Sequence, residues 1–314
     1  MRIAVTGGTG FVGRHLARAL LSDRHEVVVV ARGIDKRDTS ILGAGATFVA
    51  ASTDDADSLR QAFAGCEAVA HFAGINRELG AQTYERVHIR GTAAVVDAAR
   101  AAGVRKIVYL SFLRARPDCG SSYHESKWAA EEIVRGSGLD YTILKSGVIY
   151  GRGDHLLDHV SRALYTFPFF PLVGLRPTQL RPVFVGDLVR LAQAALIDHR
   201  LSRQTIAVLG PEELGAGDAI RRIAAAVGRT VPVVPAPVLV HRILGWLFER
   251  TMTVPLVAAA QVRILSESVT EPLPFADAPP ADLAPTTMFS VNRIRAELPP
   301  GGPFGLRDLR LFQR

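Results

Sequence analysis

The stretch Arg2 to Gly13, Arg-Ile-Ala-Val-Thr-Gly-Gly-Thr-Gly-Phe-Val-Gly, restricts what this chain can fold into more than any other part of it. Ile3, Ala4 and Val5 make the short apolar run of a strand buried on both faces, and Phe11 to Leu21 changes to helical spacing. Gly7, Gly10 and Gly13 recur at every third position through the junction. The turn needs a residue free of Cβ constraints at Gly7, an anionic group can approach the backbone only where Gly10 leaves it bare, and Gly13 lets the helix lie against the strand. Around Thr9, Phe11, Val12 and Gly13, the free N–H groups of the helix start then face such an anion.

Strand and helix patterns go on alternating behind this turn. Glu26 to Ala31, Thr47 to Ala50, Ala68 to Phe72, Lys106 to Leu110 and Leu139 to Leu144 read as strands. Asp55 to Ala64, a long segment from about Ala81 to Ala102, and Ser121 to Arg135 read as helices. This order predicts an α/β fold, a doubly wound parallel sheet in a dinucleotide-binding domain over residues 1–150. Residues 151–314 are expected to form a smaller α/β portion on the substrate side, interleaved with the first. From Tyr150 to Asp154 the pattern loosens, and Pro168, Pro171, Pro177 and Pro182 interrupt a segment rich in Phe and Leu. Ile206 to Gly210 reads as a further strand, and Glu267 to Thr287, rich in Pro, Ala and Asp, as an irregular excursion.

Composition removes several classes of function. With 314 residues, 48% of them hydrophobic, the chain can bury a large core. Cys66 and Cys119 are too few and too isolated for a disulfide framework or a structural zinc site, so a reducing, cytoplasmic compartment and no metal are expected. The first strand begins at once, with no basic and apolar leader before it, so no signal peptide is expected. The net charge of +7 comes from residues spread along the chain, with no aromatic-interleaved basic patch, which argues against nucleic acid as a partner. Charged residues and Pro255 interrupt the apolar region Val233 to Leu265, so no membrane-spanning helix is expected there. Val238 to Leu265 could serve a peripheral membrane contact or pack in a core; its apolarity fits both.

A second motif carries the chemistry. Of the 37 basic residues only Lys36, Lys106, Lys127 and Lys145 are lysine, and Lys127 follows Tyr123 by four positions. On a helix this spacing puts phenol and ammonium on one face, toward the crevice at the end of the fifth strand. Independent placement of six tyrosines and four lysines yields roughly 0.08 such pairs, so the match is informative. A nearby positive charge lowers a phenol's pKa, and the pair can then pass a proton to or from a substrate oxygen.

Together, Thr6-Gly7-x-x-Gly10-x-x-Gly13 and Tyr123-x-x-x-Lys127 resemble the signatures of the extended and atypical short-chain dehydrogenases/reductases, related to the NAD-dependent epimerases and dehydratases. Tyr123 to Asp154 is most similar to the branch of the NAD(P)H-binding accessory subunit of respiratory complex I, with Lys145-Ser146 where that family has Arg-Pro. The resemblance implies a nicotinamide dinucleotide bound by Gly7, Thr9, Gly10, Phe11, Val12 and Gly13. His71-Phe72-Ala73-Gly74 resembles the strand-four motif, whose small Ala73 and Gly74 let the backbone pass close to the cofactor. Arg32, ending the second strand with Lys36 or Arg37 as helpers, favours NADP(H); if Asp35 bonds the ribose instead, NAD(H) is favoured. Ser52 stands where the family has an adenine-contacting Asp, and His88 where it has an Asn. That histidine either orients a proton-relay water or packs.

The resemblance also implies a Ser or Thr hydroxyl that polarises the substrate carbonyl, and the family position falls at Phe112. Ser111, one residue earlier, is the candidate, with Ser121 and Ser122 as alternatives. Two functions stay open on these residues. One is an oxidoreductase or epimerase-like enzyme moving hydride between NADP(H) and a carbonyl or secondary alcohol, its small-molecule substrate held in an apolar pocket with Phe167, Phe169 and Phe170. The other is a non-catalytic NAD(P)H-binding protein of assembly or sensing. The long helices four and five pair into homodimers in much of the family.

Overall fold

The apolar runs pair into one seven-stranded parallel sheet. A computed structural model of the chain describes residues 1–33, 45–252, 267–274, 276–305 and 308. Asp35, Lys36, Arg37 and the part of the apolar region from 253 to 265 lie outside the described residues.

The strands are β1 (Arg2–Thr6), β2 (Glu26–Ala31), β3 (Thr47–Ala50), β4 (Ala68–His71), β5 (Lys106–Phe112), β6 (Asp140–Ser146) and, far along the chain, Gln204–Val208. Their order is Gln204–Val208, β6, β5, β4, β1, β2, β3, with every pairing parallel. This is the doubly wound sheet that the alternation predicts, and its direction of winding reverses between β1 and β4. Ligands of such sheets bind beyond the carboxyl ends of the strands at that reversal.

Helices α1 (Phe11–Ser22), α2 (Ala56–Phe63), α3 (Gly91–Ala101) and α4 (Ser122–Arg135) alternate with these strands. Val28, Val30, Val69, Ile107, Tyr109 and Ile143 from the strands pack with Leu59, Phe63, Val95, Val96, Ala130 and Val134 from α2, α3 and α4. The long helix expected over Ala81 to Ala102 starts later. Glu78 Oε1 accepts from the Tyr84 N–H at 2.7 Å and holds the chain in a loop, and Glu85–Arg90 then winds in wide π-type turns before α3. π-type turns of this kind occur at functional sites.

The chain divides into two units, one of residues 1–146, 185–208 and 272–284 and one of 147–184, 209–271 and 285–314. The second has its own core of Tyr150, Leu157, Leu164, Ile220, Ile223, Phe289 and Ile294. Its short strands pair Ile149–Tyr150 with Val183–Phe184, Phe170–Val173 with Val233–Ala236, and Gln179–Leu180 with Leu214–Gly215. Phe170 opens one of these strands, while Phe167 and Phe169 are exposed. The described part of the 267–287 excursion is irregular, and Asp277 bridges to Ile206 within the first unit.

Candidate active site

Gly7 has φ +69°, which glycine adopts without strain, and its N–H donates to Val30 O at 2.8 Å. A Cβ there would lie 2.7 Å from the Ala73 backbone, and one on Gly13 would lie 2.2 Å from Gly7 O. These two glycines therefore let the first turn press against both α1 and the segment after β4. Gly10 caps α1 without a side chain, so the N–H groups of Phe11, Val12 and Gly13 open the helix with no capping oxygen. A dinucleotide's pyrophosphate fits this cradle, which a Cβ would fill and whose helix end carries free donors. Thr9 Oγ1 donates to Gly33 O at 3.1 Å, tying the turn to the loop where exposed Arg32 follows β2.

At the sheet reversal a buried polar chain joins strands and helices. His71 Nδ1 lies 2.7 Å from Thr6 Oγ1, and its Nε2 lies 3.0 Å from Thr92 Oγ1 on α3. The imidazole stacks on Tyr109 at 5.4 Å, and burial, with the Lys127 charge adding, holds its pKa down to about 3. Tyr109 Oη accepts from Lys127 Nζ at 3.4 Å, and Leu110 O accepts from the same ammonium at 3.0 Å. Sequence reasoning passed over Thr92 and Tyr109. Their signal was a hydroxyl at each of two positions where the periodicity demands core.

Lys127 and Tyr123 share a face of α4, as the spacing predicts, and both are buried. A Cβ on Gly74 would lie 3.3 Å from Lys127 Nζ and 3.5 Å from His88 Nε2. The Ala73-Gly74 segment thus leaves room for the amine at the end of the sheet. Burial lowers the Lys127 pKa to about 8 against the opposing pull of Glu131.

The Tyr123 phenol departs from its expected behaviour. Burial first, and then the neighbouring Tyr84, pushes its pKa well above the ordinary value. Lys127 spends its hydrogen bonds on Leu110 and Tyr109, while the Tyr123 ring is enclosed by Tyr84, His88, Phe112 and His124 at 5.5 to 5.8 Å. Desolvation dominates at this ring, so Tyr123 is a neutral phenol that holds its proton.

Ser111 also departs from expectation. β5 runs on through Phe112, and neighbouring strand residues face opposite ways. Phe112 therefore meets Tyr123, whereas Ser111 Oγ donates to Glu131 Oε1 at 2.5 Å, two helical turns beyond Tyr123. Its hydroxyl is committed to a buried carboxylate that also holds Lys145 Nζ at 3.0 Å and Arg135 at 2.8 Å. Ser111 is a structural anchor in this arrangement. Of its alternatives, Ser121 stands at the N-cap of α4 without a side-chain cap hydrogen bond, and Ser122 is exposed.

His88 is buried and neutral, held well below its ordinary pKa by burial and then by Lys127. The Ile75 N–H donates to its Nε2 at 3.1 Å, which leaves the proton on Nδ1, 2.9 Å from Ser126 Oγ. Ser126 in turn donates to Tyr123 O at 3.0 Å. His88 thus packs between segments, linking the loop after β4 to the turn of α4 that carries Tyr123. Ser52 donates to Asp54, which also accepts from Arg86 at 2.6 Å. The Asp54 carboxyl has its pKa lowered by Ser52 first and then by Arg86.

Residues 7–159 match the family described as NAD(P)H-binding. An uncharacterised protein of Mycobacterium tuberculosis is 32% identical over 76% of this chain and 25% of its own length. Subunit 9 of the mouse mitochondrial NADH dehydrogenase [ubiquinone] 1 alpha subcomplex is 28% identical over 78% of this chain and 66% of its own. A ceramide reductase of Caulobacter vibrioides is 36% identical over 48% of this chain and 47% of its own. The chain thus spans between a quarter and two thirds of the length of these relatives. Among solved structures, the UDP-glucose 4-epimerase of Thermus thermophilus in complex with NAD superposes with a TM-score of 0.69 at 23% identity, over 94% of this chain and 97% of that one.

Proposed function

From the premise that residues 7–159 form an NAD(P)H-binding domain of extended short-chain dehydrogenase/reductase fold, distantly homologous to the complex I subunit, we propose that this chain is an NADP(H)-dependent reductase of carbonyl compounds. The observation that carries this reading is a buried phenol and amine, Tyr123 and Lys127, on one helical face, with the amine beside the bare backbone of Gly74. Gly7, Thr9, Gly10, Phe11, Val12 and Gly13 hold the pyrophosphate, Ala73 and Gly74 flank the cofactor, and Ser52 borders the adenine. Arg32 pairs with a 2′-phosphate, which makes NADP(H) the preferred form over NAD(H). Bound there, the dinucleotide supplies hydride chemistry.

The residues of the chain supply the proton and the orientation. Lys127 offers the ribose hydroxyls an ammonium that burial has partly deprived of water. Tyr123 Oη holds a proton at neutral pH, so the resting site is charged for the direction that consumes one, which is reduction. His88, through Ser126, fixes the turn of α4 on which that phenol is carried. The ceramide reductase similarity supports a reductase. Tyr123→Phe should lower turnover of NADPH across a panel of aldehydes and ketones about 100-fold or more, with NADPH affinity nearly intact. A variant as active as the parent would show that the proton comes from elsewhere.

Phe112 favours a second reading. It packs at a tilt against Tyr123, 5.5 Å between ring centres, where a carbonyl-polarising hydroxyl is expected, and the mouse relative is a subunit of NADH dehydrogenase. On this reading the chain holds NADP(H) without turning it over. Stoichiometric retention of NADPH, unchanged after exposure to the same panel, distinguishes it from the first.

A further inference from the structure

The helix Val238–Thr251 of the second unit shows solvent an apolar face. Leu239 is 66% exposed, Ile243 58% and Trp246 54%, with Val240 and Leu247 exposed beside them. These positions recur at helical spacing and form one arc. The opposite side is turned inward at His241 and Gly245, with His241 Nε2 3.3 Å from Pro171 O. At the start of the helix the face continues onto the loop after Phe170–Val173, where Leu175 is 69% exposed and Arg176 lines a shared hollow with Gly174, Pro237 and Val238. Among the described side chains, arginine is the charge at this face. Arg242 and Arg250 are exposed, and the Arg250 guanidinium lies 3.8 Å from the centre of the Trp246 ring.

We propose that this face of the second unit docks on an anionic lipid bilayer, with Leu239, Ile243, Trp246 and Leu247 entering the boundary between headgroups and acyl chains, and Arg176, Arg242 and Arg250 engaging lipid phosphates. Burying those aliphatic side chains favours the docked state, and tryptophan settles at such a boundary. Charge complementarity selects the occupant. A second copy packed through the same face would place its arginines in one desolvated seam with those of the first, whereas anionic headgroups satisfy each of them. Among the described residues no helix is long and apolar enough to cross a membrane, so the contact is with a surface. Nothing in it depends on the cofactor reading, whose residues lie in the other unit.

Flotation of the full chain with phosphatidylcholine vesicles containing phosphatidylglycerol, compared with phosphatidylcholine alone, tests the proposal. The chain should float with the anionic vesicles, and Trp246 emission should shift to the blue, a shift absent from Trp246→Phe. Arg242→Gln and Arg250→Gln should each weaken binding about fivefold. The double variant Leu239→Glu/Ile243→Glu, at exposed positions, should weaken it about tenfold or more. The proposal is overturned if the parent does not float, if the double variant floats equally well, or if light scattering finds a dimer that this variant dissociates while vesicles are ignored.

Discussion

One helix, α4, carries two buried lysine environments that differ in a single respect. At its second turn Lys127 donates to a carbonyl and a phenol and has no carboxylate in contact. Beyond it, Lys145 from β6 meets Glu131 at 3.0 Å in a cluster with Arg135 and Ser111, and Lys145 Nζ also donates to Ala115 O at 2.9 Å. Lys106, at the start of β5, is likewise paired, with Asp140 at 3.1 Å. In a chain that otherwise uses arginine, each described lysine is buried, and the one without an acid partner is the one beside the cofactor cradle. A paired buried ion holds elements together, and a buried ion left without a counter-charge keeps its charge available to a ligand.

The contrast breaks most visibly at the paired cluster. Glu131→Ala leaves Lys145 and Arg135 facing a cavity without compensation, and urea unfolding should register a loss of about 3–5 kcal/mol. A loss under about 1 kcal/mol would mean that the cluster does not hold the sheet to α4. Ser111→Ala removes one hydrogen bond to that carboxylate and should lower stability by about 1.5–3 kcal/mol, with turnover unchanged. If turnover instead fell about 100-fold with stability intact, Ser111 would be restored as the carbonyl-polarising hydroxyl.

The smallest effect at neutral pH belongs to Lys127→Met, about 1 kcal/mol or less, because the variant removes a desolvation penalty along with two hydrogen bonds. Its signature lies in alkali. Lys127 releases its proton at about 8 in the folded chain and near 10.5 when unfolded, so between those values the unfolded chain binds more protons. Stability attributable to this residue therefore rises with pH across that window. Lys106 and Lys145 are lowered too and act in the same direction, so the test is the difference between parent and variant. Parallel stability curves from pH 8 to about 10.5 would show that Lys127 is not the poorly solvated amine described above.

Much of the first unit was legible in residue order. A strand, a glycine turn and a helix in succession leave few alternatives, because Gly7 and Gly13 fill positions where the backbone itself excludes a side chain. The scarcity of lysine likewise pointed at Lys127. The site's chemistry was less legible. How far β5 runs decides whether Ser111 or Phe112 meets Tyr123, and strand ends depend on the pairing partner: β6 stays in register through Ser146. The lowered phenol pKa expected from spacing alone was reversed by burial among rings from two other segments, Tyr84 and His88 on one and Phe112 on β5.

Residue order by itself determined the parallel sheet, the glycine turn at the start of α1 and the common face of Tyr123 and Lys127, since each follows from backbone sterics and periodicity within a short stretch. Tertiary structure alone decided that Tyr123 keeps its proton, that Ser111 serves Glu131, and that the Val238–Thr251 helix turns apolar side chains outward. Those outcomes depend on which distant segments remove water from a group, a sum over neighbours that local spacing does not contain.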